Sequence, residues 1–346
     1  MSLTHTAHMS RNIIKFGGIG IVAIVILWSV TKIAYRAYLT ANPPYYPPTV
    51  KYGILPKVVF TEKQTEVKNF VFELANDRIP VFSDQMKVYV IYKPITTFLA
   101  LDEDTKTAEN FGFIERPREI KDGIYEFKNN NTNKTLTVNV LDGHFQMSYP
   151  YLTDQLLLTP DEVPNKEKAI SIASSFLSAG NKFTDDLKNG DKVVSFWKIS
   201  EGGLKSVESQ SEANAVRVDF FRESFDEVKL LSSSFNKASV SVLISGSKTE
   251  AKKIIEFNLK DISIGRGAES YSTYPIKTTQ EAINSLNSGN YWPAVDVEKK
   301  EVVIRKIYLA YFEPNTLTNF LQPIYVFEGD DGFVAYVPAI KSEWLQ

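Results

Sequence analysis

Three acidic clusters carry the densest carboxylate oxygen in the chain: Asp102-Glu103-Asp104, Asp185-Asp186 and the run Glu328-Gly329-Asp330-Asp331-Gly332. Carboxylates this close would hold a hard cation such as calcium if a loop offered them at alternating positions, with a mid-loop glycine and a closing glutamate. DEDTKTAENFGF has neither that glycine nor that glutamate, so Asp102 to Asp104 read as the first turn of a helix, where negative charge complements the dipole. Glu328, Asp330 and Asp331 stand between the alternating runs FLQPIYVF and FVAYVPAI, and read as the wet tip of a hairpin. No metal and no other cofactor is expected.

Nucleophilic catalysis would need a hydroxyl or thiol with a base in reach. There is no cysteine, and neither GxSxG nor HExxH occurs. Of three histidines, His5 and His8 lie in the N-terminal tail. His144, between Gly143 and Phe145 at a strand start, has no histidine or carboxylate pair beside it and reads as structural. Arg266 between Gly265 and Gly267 reads as a turn. The remaining surplus is aromatic: Tyr271, Tyr274, Tyr291, Trp292 and Tyr311 crowd the last third of the chain. In a row on a sheet they would bind a peptide, a glycan or another protein surface. Strand alternation turns half of such a row inward, so core packing is the competing reading.

Behind these residues stand the elements that must position them. From Phe16 to Thr31 the sequence carries no charge, and with Ile33, Ala34 and Tyr35 it reaches about 20 residues, the length that spans a bilayer core. Trp28 and Tyr35 fall where interfacial aromatics belong, and Lys32 and Arg36 bracket the segment. The expected partner of this helix is the lipid bilayer, held by Phe16, Trp28, Lys32, Tyr35 and Arg36. NPPYYPP, residues 42–48, is a semi-rigid spacer. The expected organisation is a tail (1–11), a transmembrane helix (12–38), a Pro-rich stalk (39–55), an N-terminal α+β module (56–152) and a C-terminal α+β region (153–346).

Beyond the stalk, KNFVFEL, KVYVIYK, GIYEFKN, KTLTVNV and HFQMSYPY alternate as strands, with NNNTNK (129–134) as a hairpin tip. NKEKAISIASSFLSAG gives a helix with Ala169, Ile170, Ala173, Phe176 and Leu177 on one stripe and Gly180 at its end. AVRVDFF, ASVSVLISG and KKIIEFNLKDISI resume the strands, and the helix TTQEAINSLNSG precedes EVVIRKIYLAYFEP. Three times a short helix with an inward alanine, Ala108, Ala169 or Ala282, precedes strands. The expected fold is α+β: repeated modules of a short helix on antiparallel sheet.

NKEKAISIASSFLSAG leading into strands, TYPIKTTQEAINSLNSG before VVIRKIYLAYF, and LQPIYVFEGDDGFVAYVPAI resemble the PepSY-type modules of the extracytoplasmic YycI/YycH regulators of bacterial two-component systems. The resemblance covers mainly residues 160–340 and more loosely 58–150. It implies two such modules in the C-terminal region, an outward-facing domain and a regulatory role toward a membrane partner such as a sensor kinase or an envelope enzyme. The chain departs from that pattern in lacking a long cytoplasmic region and in its longer first module.

With 39 basic and 41 acidic residues, and a net charge of −2, no Lys/Arg surplus exists to collect counterion-release energy, so nucleic acid is not an expected partner. The expected function is non-catalytic: a single-pass, membrane-anchored, extracytoplasmic binding protein with a protein partner in the membrane or envelope. Two alternatives stand beside it. One is a surface-assembly subunit that self-associates through strand edges. The other is an envelope carbohydrate hydrolase, which would need two carboxylates converging in one pocket.

Overall fold

The computed structural model describes residues 3–41, 45–60, 68–92, 100–158, 162–314, 316 and 318–346; side chains of residues 3–16, 18, 19, 22 and 76 lie outside the description. The chain forms two compact units, Met1–Pro47 and Pro48–Gln346.

The first unit is α1 (Leu3–Ala41), 39 residues without an acidic side chain. Its described apolar side chains Ile21, Ile24, Val25, Ile26, Leu27, Val30 and Ile33 are all exposed. Consecutive positions point to every face of a helix, so this is no amphipathic surface helix. Among the described residues no helix is long and apolar enough to cross a membrane. The expected span at 12–38 includes residues 12–16, 18, 19 and 22, whose side chains, that of Phe16 among them, lie outside the described ones. Lys32 places its ammonium 4.0 Å from the centre of the Trp28 ring, and Tyr35 and Arg36 are exposed.

The second unit opens with β1 (Asn69–Phe72), β2 (Gln85–Tyr92), α2 (Ala100–Asn110), β3 (Arg118–Lys121), β4 (Ile124–Asn129), β5 (Lys134–Asn139) and β6 (His144–Ser148). Next come α3 (Gln155–Leu158), α4 (Lys166–Ala179), α5 (Asp185–Asn189), β7 (Lys192–Ser200), β8 (Gly203–Val207), β9 (Ala215–Phe220), β10 (Leu230–Leu231), β11 (Val240–Ser245), β12 (Ile254–Lys260) and β13 (Ser263–Ile264). The chain closes with β14 (Tyr271–Pro275), α6 (Thr279–Asn287), β15 (Trp292–Val295), β16 (Glu301–Phe312), β17 (Phe320–Gly329) and β18 (Val334–Pro338). The architecture is α+β with antiparallel-rich sheets and few helices.

One nine-stranded sheet is antiparallel throughout, in the order β3-β4-β5-β6-β12-β11-β9-β7-β8. Its apolar face is covered by α2 and α4. Asn165 caps α4 by accepting from the Lys168 amide at 2.9 Å, and Ala108, Ala169, Ala173 and Leu177 are fully buried over Phe127, Phe145 and Phe257. Alanine lets each helix axis approach the sheet closely. Phe111 after α2 stacks on Phe176 of α4 at 4.6 Å, and both reach Phe257 at 5.2 Å. The pairing of β6 with β12 joins two helix-covered halves into one continuous sheet.

The second nine-stranded sheet is built around β16 and β17. α6 lies on it, started by a reciprocal capping box between Thr278 and Glu281, with Ala282, Ile283 and Leu286 buried against Tyr325, Phe327 and Phe333. Ala108, Ala169 and Ala282, one on each of the three helices, are fully buried, but two of those helices share a sheet.

The stretch 56–152 is not a self-contained module. β1 pairs in parallel with β16, and β2 pairs with β13, β14 and β17, so both belong to the C-terminal sheet, while β3 to β6 belong to the other. The expected stalk is likewise divided. Leu39–Ala41 end α1, residues 42–44 lie outside the description, and from Thr49 the chain is stitched to β14 by Val50 N–H to the Thr273 carbonyl at 3.0 Å. Leu55 and the last residues then bind reciprocally, Leu55 N–H to the Trp344 carbonyl and Gln346 N–H to the Leu55 carbonyl.

Candidate binding cleft

Where the two sheets meet, a buried arginine ties them together. Arg222 follows β9, and its side chain is 3% exposed. It donates to Glu313 Oε1 at 3.0 Å, to the Lys260 carbonyl at 2.6 Å and to Asp186 Oδ2. Ser239 also donates to Glu313 Oε1, at 2.6 Å, and the buried Lys260 ammonium donates to the Pro314 carbonyl. A charge this buried persists only with partners on every side. Burial by itself would raise the Asp186 carboxyl; the Arg222 guanidinium and the Thr184 hydroxyl overcome it and hold the pKa below the ordinary carboxylate value.

Above this hub opens a cleft of about 660 Å³, within the usual size range of ligand sites. Phe221, Val228 and Leu230 line it together with Lys306, Tyr308 and Glu328. Gly190 is required at its rim, because a Cβ there would stand 1.9 Å from the Phe221 carbonyl oxygen. Tyr308 donates its hydroxyl to Glu328 Oε1 at 2.6 Å, and the Lys306 ammonium lies 4.7 Å from the centre of the Tyr308 ring. Burial and the Glu328 carboxylate push the Tyr308 phenol well above its ordinary pKa, so it stays a proton donor.

Beside Lys306 and Tyr308 the cleft meets an interrupted strand edge. β17 takes one edge of β16. The other edge is shared by two short parallel strands, β1 against Glu301–Ile304 and β10 against Tyr311–Phe312. Tyr311 N–H bonds the Lys229 carbonyl and Glu313 N–H the Leu231 carbonyl, each at 2.8 Å, so odd-numbered residues in this part of β16 turn their backbone groups to that edge. By strand alternation Ile307 and Leu309 do the same, and among the described residues neither has a backbone partner there. Pro323 fits the same alternation: it sits opposite Tyr311, where β17 owes β16 no hydrogen bond.

The sequence-predicted residues fall elsewhere. Tyr274, Tyr291, Trp292 and Tyr311 are at most 8% exposed. Tyr274 donates to the Gly53 carbonyl at 3.0 Å, Tyr291 meets Phe70 edge-on at 5.5 Å, Trp292 stacks on Phe60 at 5.7 Å, and Tyr311 donates to the Lys87 carbonyl at 3.0 Å. Tyr271 is half-buried under the Lys87 ammonium, 4.4 Å from its ring centre. The five rings form no common exposed face. Among the acidic clusters, Asp102 and Glu103 do open α2. Asp330 forms a two-pronged ion pair with Arg305, at 2.8 and 2.7 Å, and Asp331 pairs with Lys299. Asp331 (φ 57°) and Gly332 (φ 80°) make the turn. Glu328, grouped with the turn by its sequence, is a β17 residue facing Tyr308. Among the described residues no group of acidic or histidine side chains is placed to hold a metal.

No family model and no curated protein matches the chain. Solved structures that resemble it include an uncharacterized protein from Eubacterium rectale, at 11% identity over 79% of this chain and 87% of that one, with a TM-score of 0.40. Another is the C-terminal domain of Bacillus megaterium YpeB, at 12% identity over 72% of this chain and 95% of that one, with a TM-score of 0.30. At such identities and scores neither likeness identifies a family or a ligand.

Proposed function

We propose that this protein is a single-pass membrane-anchored binding protein of PepSY type, whose second unit faces outside the cytoplasm and takes a protein partner in the cleft, without catalysis. The observation that carries the reading is α1: a 39-residue helix without acidic residues, whose described apolar side chains between Ile21 and Ile33 are exposed on every face. Such a surface is unfavourable in water and matched by lipid. The cleft supports the binding role, with an apolar wall, a tyrosine–carboxylate pair and a rigid charged hub beneath it. Two outer strand edges are poorly suited to assembly: β3 has the sequence REIK with every residue exposed, and the edge strand β15 contains Pro293, features that oppose edge pairing.

Membrane fractionation with carbonate washing tests the anchor, and the protein is expected to stay with the membrane. Protease added to intact cells tests the orientation, and the second unit is expected to be cleaved. Recovery in the soluble fraction, or full protection of that unit, would overturn the reading. Photo-crosslinking from position 227 beside the cleft is expected to give a covalent adduct with a membrane or envelope protein; adducts only with a second copy of this chain would favour self-assembly.

A further inference from the structure

We infer that the cleft receives an extended peptide segment of the partner protein, added as a short strand to the open stretch of β16 between β1 and β10. This deepens the binding role and rests on it.

Strand β16 is already served on that edge by two short strands running in its own direction. The last bond on the β1 side is Glu73 N–H to the Ile304 carbonyl, and the first on the β10 side is Tyr311 N–H to the Lys229 carbonyl. Between Ile304 and Tyr311 lies roughly 20 Å of strand. Within it the N–H and C=O of Ile307 and Leu309 have no backbone partner among the described residues. Two outer edges of the sheets are disarmed, β3 by charge and β15 by proline. This window differs in lying inside a concave site, lined also by Phe221 and Val228 and closed at one end by Leu230 of β10. A guest strand entering there continues the line of β1 into β10, parallel to β16, and buries its own backbone against an edge whose direction the neighbours have fixed.

Charge narrows the guest further. Asp191 pairs with Lys229 at 3.5 Å and Glu223 with Arg266 at 3.2 Å. Glu227 is exposed, and Glu328 accepts from Tyr308. Against these two carboxylates stands Lys306. The guest residue opposite Tyr308 lies on the face of Glu328, so a basic side chain is favoured there. The adjacent guest residues, opposite Ile307 and Leu309, turn to the apolar side.

The test uses the full chain in detergent micelles, and its probe is a phage-displayed library of random dodecapeptides. Enriched sequences are expected to carry Lys or Arg flanked by apolar residues. A synthetic copy is expected to slow hydrogen exchange at the Ile307 and Leu309 amides by about tenfold or more. Methylating the peptide's backbone nitrogens one at a time should weaken binding about tenfold at alternate positions and little in between, because only alternate amides face the edge. Glu328→Gln should weaken the basic peptides several-fold while leaving the exchange pattern of the free protein unchanged. Failure to enrich any sequence would overturn the inference. So would peptides that leave Ile307 and Leu309 exchange unchanged, or a uniform response to methylation. A protein that stays with the membrane yet fails here loses the strand-addition inference alone, whereas loss from the membrane removes the anchored reading whatever the peptides do.

Discussion

Burial of Arg222 is sustainable because acceptors from α5, the end of β12 and the segment after β16 converge on it. Replacing it by methionine would remove the guanidinium that Asp186 and Glu313 share, and is expected to cost about 3–5 kcal/mol, read from denaturant unfolding of the full chain. The pH dependence has a definite sign. The folded-state pKa of Asp186 is depressed, so its contribution is present above the unfolded value of about 3.9 and lost as pH falls through the lower folded value. The gap between parent and Arg222→Met should therefore shrink in strong acid. Asp104 behaves oppositely. Burial, opposed by Lys182, lifts its pKa to about 6, so its stabilising contribution is present below the unfolded value and disappears as pH rises through about 6. Asp104→Asn should match the parent near pH 4 and melt roughly 2–4 °C higher near neutrality, and equal melting temperatures at both pH values would refute the shift. Such residues are poorly legible in a sequence. Asp186 was visible only as half of an acidic pair, and its partner Arg222 stands 36 positions away. Glu328 groups with the turn in the sequence because its neighbours are turn-formers, and only its pairing opposite Lys306 sets it on the face of Tyr308.

At the scale of elements the sequence is far more explicit. The stripe Ala169, Ala173 and Leu177, the closing Gly180 and the strand runs all appear where periodicity puts them, because a helix face or strand face is written locally. β3, β7, β8 and β14 gave weaker signals. β3 is wholly exposed, so no apolar alternation marks it. Its charges act instead as a guard on the open edge of a nine-stranded sheet. Replacing Glu119 and Lys121 together by valine would leave an apolar, β-branched run, Val-Ile-Val, on the strand that ends the sheet, with Arg118 as its one remaining charge, paired with Glu126. The double variant is expected to form concentration-dependent larger species in light scattering that the parent does not form at the same concentration. A strictly parent-like profile would show that the edge is guarded by something other than charge. The aromatic residues teach the related lesson. A count of tyrosines cannot tell a binding row from a core, whereas alternation along β14 and β16 buries Tyr274 and Tyr311.

Across the whole molecule, the division between sheets depends on pairings that no local pattern encodes. Phe70 lies opposite Val302 and Tyr89 opposite Leu321, so an apparent N-terminal module surrenders its first two strands to the C-terminal sheet. Those long-range pairings also frame the edge window, because β1 and β10 reach the same edge of β16 from far apart in the chain. The anchor proposed for α1 is the reverse case. It needs no tertiary partner, and its length and missing charges can be read in one pass. A charged side chain at the centre of a spanning helix opposes insertion by about 2.5–3.5 kcal/mol. Ile24→Lys with Leu27→Lys therefore removes roughly 5–7 kcal/mol from membrane insertion if the two act independently. Both positions lie on the exposed apolar stretch of α1, so the fold of the second unit should be untouched. The expected result is loss of the double variant from the carbonate-washed membrane fraction, with an unchanged melting transition for the second unit. Leu27→Ile, made as a control, should fractionate as the parent does. Retention of the double lysine variant in the membrane would mean that something other than α1 holds the protein there.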